Sequence, residues 1–442
     1  MWASSLHSLE VFRCNLDDVF FHELVQFAVL TKLCLPFLSD DDFAVMFRNH
    51  GSLPSLRSLT FGAGYISFRT FLTLLTRTPE LTFLYASLSG LRHPDFASSV
   101  NVTLPHLEAL KLTVRYDCHD DILGHIFRDG RPHRLASVQL EHITLCRFDI
   151  IAGPALLRLT LCNCTVDVDE IAAALQRCPN LEALTLVCVF SGETTASIPE
   201  PGILARLRTA DVFFHIDGLS GQVAQSTLDP AQIQRFRPFV IALLPPTCSS
   251  NICGAFSPNH DRVLSIRLQK SQILSFIPRD GATWHSVKLK ISTLSPDYCD
   301  VSIHSGEGNV CRSFHADSIS ECISLMHSHF RIFSRVSSLF VGSETAIQLF
   351  SLQNIAFSTL ETLVIKFIYP SRSRPDHKPR SVDSLRAVIA SAAVVPMESL
   401  LLRVIRLKSL QAELLPIVLK GDLLRMFRSE ELVEVELPRN ST

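Results

Sequence analysis

The chain has 442 residues, 47% of them hydrophobic and 19% charged, with a formal net charge of -2. That is enough apolar material for a large core, and too little net charge to hold nucleic acid or an anionic membrane through a global field. No apolar run reaches the ~18 residues of a membrane span; the longest, Phe239 to Leu244 and Ala387 to Val395, are core-sized.

Met1-Trp2-Ala3-Ser4 lacks the basic and apolar regions of a secretory signal. Thirteen cysteines lie scattered, mostly among apolar neighbours. Together these predict free buried thiols in a reducing, intracellular compartment, cytoplasm or nucleus.

In chain order, short strand-like triplets of the form Leu-x-x-Leu-x-Leu start at Leu6, Leu30, Leu56, Leu81, Leu107, Leu135, Leu156, Leu181 and Leu207. The gaps between them are 24, 26, 25, 26, 28, 21, 25 and 26. A period of about 20 to 29 residues with this pattern is the signature of leucine-rich repeats. Helices are predicted between the triplets, at Asp18 to Val29, Asp40 to Phe47, Ser67 to Thr76, Asp120 to Phe127 and Asp169 to Cys178. The last is the clearest. Ile171, Ala174, Leu175 and Cys178 fall on one helical face, Asp167 and Asp169 can cap the first turn, and Pro179 forces Cys178 out of the α region.

From Val189 the beat weakens. Ser191 to Gly202, Asp217 to Asp229 and Pro245 to His260 read as loops, with a helix at Pro230 to Leu244. Less regular rungs follow at Val263-Ile266-Leu268, Trp284-Val287-Leu289, Val336-Leu339-Val341, Leu360-Leu363-Ile365, Met397-Leu400-Leu402 and Leu432-Val435-Leu437. Helices fit at Ser318 to Phe333, Glu344 to Gln353, Val382 to Ala393 and Leu410 to Phe427, with an extra hairpin around Gly306 to Gly308.

The expected fold is α/β: a right-handed leucine-rich-repeat solenoid, or horseshoe, with a parallel sheet on the concave side and helices on the convex side. Regular repeats span 1–215, an irregular insertion 216–260, and looser repeats continuing the same solenoid 261–442. Each unit must be covered by its neighbours, so a stack needs a cap at each end. The first rung comes at Leu6, which predicts that something else, or a preceding segment, covers that end.

Four rungs open on proline: Pro54-Leu56-Leu59-Phe61, Pro105-Leu107-Leu110-Leu112, Pro154-Leu156-Leu159-Leu161 and Pro179-Leu181-Leu184-Leu186. With the helix end Leu175-Gln176-Arg177-Cys178-Pro179, they make the chain resemble the leucine-rich-repeat region of fungal F-box proteins. The resemblance implies a substrate-recruiting arm of a cullin-type ubiquitin ligase, in which an F-box ahead of the repeats docks a Skp-type adaptor. No F-box-like Leu-Pro-x-Glu segment opens this chain.

Side chains alternate along a strand, so residues between inward leucines line the concave face. Among them, Phe12, Phe83, Tyr85, Lys111, Arg158, Asp211 and Phe213 form the expected partner-binding set. The exposed aromatics Phe83, Tyr85 and Phe213 would be anchors, since aromatics are enriched among binding hot spots. The competing reading is that loops or the second half cover them. Asp117-Cys118-His119-Asp120-Asp121 with His125 is better read as a loop and helix cap than as a metal cluster. Arg372, Arg374, Lys378 and Arg380 read as a solvated loop.

Hydrolase, phosphate-loop, zinc-protease and dinucleotide signatures are missing. The function expected is a non-enzymatic protein–protein interaction scaffold with no cofactor and no metal. The alternative is a leucine-rich-repeat binding protein without a ubiquitin role, or a fragment lacking its F-box.

Overall fold

A computed structural model of the chain describes residues 6–11, 24, 27–35, 39–46, 52–64, 66–88, 102–118, 122–127, 133–145, 148–191, 203–214, 244–245, 247–254, 286–295, 298–305, 310–316, 323, 326, 332–351, 357–366, 387, 404–408 and 432–436. It divides into two compact units. Unit 1 is Met1–Pro245 with Ala255–His260; unit 2 is Pro246–Gly254 with Asp261–Thr442.

In unit 1 the strands are β1 (Ser8–Glu10), β2 (Lys32–Leu35), β3 (Ser58–Gly64), β4 (Phe83–Leu88), β5 (Ala109–Cys118), β6 (Ser137–Leu145), β7 (Arg158–Asp167), β8 (Ala183–Ser191) and β9 (Thr209–Phe214). Each pairs in parallel with the next in sequence. The join at every step is the same. The carbonyl of His7 accepts the amides of Thr31 and Lys32, that of Arg57 those of Thr82 and Phe83, and that of Glu182 those of Arg208 and Thr209. One carbonyl taking two amides from the following unit satisfies the groups a strand start would otherwise leave bare. The positions that carry this join follow the periodicity of the leucine triplets, which fixes the unit as a leucine-rich-repeat solenoid.

The prolines have a second role beyond ending helices. Leu56 N–H donates to Leu53 O, Leu81 to Thr78, Leu107 to Leu104, Leu156 to Gly153 and Leu181 to Cys178. Each is a four-residue turn with Pro54, Pro79, Pro105, Pro154 or Pro179 in its second position, where the ring presets φ. The turn hands the first leucine of each rung directly into the core.

Helices return the chain between rungs: α1 (Asp40–Met46), α2 (Phe68–Thr76), α3 (Ile122–Ile126) and α4 (Val168–Gln176). Ser67 Oγ accepts from Thr70 N at 3.3 Å to start α2. Asp167 Oδ1 accepts from Asp169 N at 2.9 Å and Glu170 N at 3.1 Å to start α4. Asp167 is therefore the cap, and Asp169 sits inside the first turn, where its charge suits the helix dipole. Ser39 Oγ accepts from Asp42 N while Asp42 Oδ2 accepts from Ser39 N, a reciprocal cap on α1.

The core lies between sheet and helices. Leu59, Phe61, Leu84, Leu110, Leu112, Leu159, Leu161, Leu184 and Leu186 are buried, as are Phe71, Leu75, Ile171 and Leu175 from the helices. Phe61 meets Phe71 edge-on with ring centroids 6.1 Å apart, tying α2 to the leucine side of the sheet. Each such side chain contributes about 1.5–3 kcal/mol by leaving water. His142 in β6 and Asn163 in β7 take positive φ (59° and 52°). Asparagine and histidine are among the residues that tolerate this region.

Unit 2 contains β10 (Ser249–Gly254), β11 (Val287–Ser295), β12 (Tyr298–Ser305), β13 (Cys311–Ala316), β14 (Val336–Gly342), β15 (Thr362–Lys366), β16 (Val404–Lys408) and β17 (Leu432–Glu436), with helix α5 (Ser343–Ser351) after β14. Strands β14 to β17 run parallel in sequence order, and β11 joins β14 in parallel. The sequence expectation of an extra hairpin near Gly306 is met: β12 and β13 are antiparallel. The hairpin goes further than expected, because β12 is also antiparallel to β11 and β13 takes β10 as a parallel neighbour.

Three expectations need correction. The stretch Pro245 to His260 is not wholly loop: Ser249–Gly254 is a strand, held by β13 despite its Ser- and Asn-rich composition. Cross-strand pairing overrides weak propensity. The rung placed at Met397-Leu400-Leu402 instead has its strand at Val404–Lys408, with Ile405 opposite Leu363 and Leu407 opposite Ile365. Leu402-x-x-Ile405-x-Leu407 satisfies the same pattern five residues later, and pairing selects it. The final rung, expected at Leu432-Val435-Leu437, instead has Val433 and Val435 in the positions opposite Ile405 and Leu407. The rung at Val263-Ile266-Leu268 and the helices expected at Asp18 to Val29, Pro230 to Leu244, Ser318 to Phe333, Val382 to Ala393 and Leu410 to Phe427 fall wholly or mainly outside the described residues.

A charged side chain sits in the core of unit 2. Arg312 is 2% exposed and its Nη1 donates to Ser250 Oγ at 2.7 Å. Burial pushes its guanidinium pKa down, and the Cys248 and Cys311 thiols act the other way. Among the described residues, no helix is long and apolar enough to cross a membrane.

Candidate protein-binding face

With the leucines of unit 1 turned in, the other side of its sheet is open. Register sets its rows. The first runs Ser8, Lys32, Ser58, Phe83, Ala109, Ser137, Arg158, Ala183, Thr209. The second runs Glu10, Cys34, Thr60, Tyr85, Lys111, Gln139, Thr160, Thr185, Asp211. All of these are half-buried or exposed, while their neighbours along each strand are mostly buried.

The aromatic centre is Phe83 and Tyr85 on β4. Phe83 is 37% exposed, the one exposed large hydrophobic side chain among the described residues. Lys111, opposite Tyr85 on β5, places its Nζ 4.6 Å from the centre of the Tyr85 ring. Such a cation over a ring gains ~0.5–1 kcal/mol at an exposed site and leaves the ammonium able to meet a partner.

The flanks are polar and largely self-satisfied. At one end Glu10 and Lys32 form an ion pair across β1 and β2, and the hydrogen bond and charge of Glu10 raise the Lys32 pKa. In the middle, Glu141 accepts from Thr113 Oγ1 at 3.0 Å and from Gln139 Nε2 at 2.8 Å. Arg158 is exposed in the same row as Phe83, three strands away. At the far end Asp211 is half-buried, and burial alone raises its carboxyl pKa.

The expected site set is thus distributed as follows. Phe83, Tyr85 and Lys111 come together. Arg158 and Asp211 share their face but lie farther along it. Phe12 and the side chain of Phe213 fall outside the described residues, although the backbone of Phe213 in β9 pairs with that of Val187 in β8. The Glu141 cluster with Thr113 and Gln139 was not singled out in the sequence. Its signal is register: Thr113 and Glu141 occupy paired positions on consecutive rungs.

The half-buried thiols on this face, Cys34 and Cys162, have raised pKa values, chiefly from burial and then from Glu10 and Glu141 respectively. A raised pKa lowers the thiolate fraction at neutral pH. Cys164 points into the core, with its pKa pushed up to about 12 by burial. Among the described residues no His, Cys, Asp and Glu group is arranged to hold a metal ion. Asp117, Cys118 and His125 have side chains outside the description, as do His119, Asp120 and Asp121 entirely.

No family model matches the chain, and no curated protein matches it. Among solved structures it is similar to the internalin InlF of Listeria monocytogenes, at 13% identity over 83% of each chain with a TM-score of 0.40. It is also similar to the functional domain of InlJ from Listeria monocytogenes, at 10% identity over 71% of this chain and 86% of that one, TM-score 0.29. A third likeness is to the yeast Rad7–Elc1 complex, at 14% identity over 89% of this chain and 84% of that one, TM-score 0.25.

Proposed function

We propose that unit 1 is a protein-docking scaffold without catalytic activity, and that its contact surface is the open sheet face centred on Phe83, Tyr85 and Lys111. The observation that carries this is one exposed aromatic beside a second aromatic capped by a cation, on a backbone fixed by repeated hydrogen bonds. Aromatic anchors of this kind dominate binding energies at protein interfaces. Cys34, Cys162, Cys164, Cys178, Cys188 and Cys311 are free thiols, which supports an intracellular, reducing setting.

The more specific form of this reading is the substrate-recruiting arm of an F-box subunit in a cullin-type ubiquitin ligase. Its support is the resemblance carried by the Pro-x-Leu-x-x-Leu-x-Leu rungs. The competing form is a repeat protein with no ubiquitin role. Two measurements test the face and then separate the two forms. Quantitative affinity purification should recover a partner with the wild-type chain and lose it with Phe83→Glu; equal recovery removes this face from the interaction. Recovery of a Skp-type adaptor, with any encoded upstream segment included, supports the ligase form, and its absence removes that form.

A further inference from the structure

Unit 2 also has an open sheet face, and its charge differs from that of unit 1. Lys288 and Lys290 on β11 and Lys366 on β15 are exposed. Their cross-strand partners are not acidic. Lys288 lies between His304 and Ser338, and Lys290 between Ser302 and Phe340. Lys366 lies between Gly342 and Lys408. Two lysines at directly opposed positions weaken a sheet unless a counter-charge meets them. By contrast, Arg406 and Lys408 hold register positions opposite Glu434 and Glu436 at the β17 end.

Between the cations the floor is apolar. Lys290 Nζ lies 5.8 Å from the centre of the Phe340 ring, and Val364, the next position along the row, is 6% exposed. His304 is half-buried at the margin, its pKa lowered by burial and then by Lys290 and Lys288. In β12, Asp300 pairs in register with Ser292 rather than with a lysine.

We propose that this face, formed by β11, β14 and β15, docks an extended acidic protein segment that places an apolar side chain over Phe340. Charge complementarity selects the occupant. A peptide meets three lysines and one ring with a few residues. A nucleic acid fits less well, because phosphate tracking needs a longer run of cations, while Glu434 and Glu436 share the sheet and the whole chain carries a net charge of -2. This surface is independent of the Phe83 face, so either can fail alone.

The test uses the full chain and a labelled peptide of Asp and Glu residues around one central Phe, read by fluorescence anisotropy at low and moderate salt. Binding should weaken about tenfold in the Lys288→Gln, Lys290→Gln, Lys366→Gln triple variant and remain unchanged in Phe83→Ala. An oligothymidine of equal charge should bind less tightly than the peptide. Lys290→Gln alone should weaken the peptide about threefold, which serves if the triple variant melts early. It should also raise the His304 pKa measured by NMR. The proposal is overturned by absent peptide binding, by equal binding in the lysine variants, or by an oligonucleotide that binds more tightly than the peptide.

Discussion

Lys111 Nζ sits 4.6 Å over the ring of Tyr85, and the two residues occupy directly paired positions on adjacent parallel strands. The contact follows from the repeat itself: the second variable position of one rung lies beside the second variable position of the next. A double-mutant cycle with Tyr85→Ala and Lys111→Ala, read by urea denaturation, should give a coupling of about 0.5 kcal/mol. Additive effects would show that the ammonium gains nothing from the ring.

The inward and outward positions of a rung should differ sharply in tolerance. Leu184 is 2% exposed, and Thr185 beside it is half-buried on the open face. Leu184→Asp places an unpaired charge in a core continuous with the neighbouring rungs and should remove the cooperative melting transition of unit 1. Thr185→Asp should shift melting only slightly. Calorimetry on the two variants decides the matter, and similar melting in both would mean that the inward assignment is wrong.

Helix α4 is short, so its start matters. Asp167 satisfies two amides at 2.9 and 3.1 Å. Asp167→Ala should cost about 1 kcal/mol in chemical denaturation, and Asp167→Asn much less, because asparagine caps nearly as well. Equal losses in both would point to charge rather than capping as the source.

Asp211 gives the open face a pH signature. Burial raises its folded-state carboxyl pKa above the unfolded value. In the window between the two, the folded chain binds more protons than the unfolded chain, so this group's contribution to stability falls as pH rises. Asp211→Asn should therefore be more stable than wild type at neutral pH. The advantage should disappear as pH falls below about 4, where the wild-type carboxyl is protonated in both states. Denaturation midpoints across that range test the sign, and a wild type more stable at neutral pH would reverse it.

Much of unit 1 was legible because its information is local. The gaps between leucine triplets reappear as the spacing of the joining carbonyls His7, Thr31, Arg57 and Thr82, and the capped helix before Pro179 is found with Asp167 as its cap. Phe83, Tyr85 and Lys111 followed from alternation. Unit 2 was less legible because distant pairing governs it. Ser249–Gly254 reads as loop and becomes a strand through its pairing with β13, while Leu400 and Leu402 offered a rung as good as the one formed five residues beyond. Buried Arg312 carried no local signal, since its support comes from Ser250, 62 positions away. The alternation Val287-Lys288-Leu289-Lys290-Ile291 was visible, but the lack of opposing carboxylates appears only with register.

Residue-resolved hydroxyl-radical footprinting of the native chain tests the stacked-rung arrangement most directly. Phe83 and Tyr85 should oxidise readily in the folded protein, while Leu84, Phe61 and Leu110, 0%, 0% and 2% exposed, should react only after unfolding. Native oxidation of Leu84 as fast as that of Phe83 would contradict both the inward stack and the binding face on its other side.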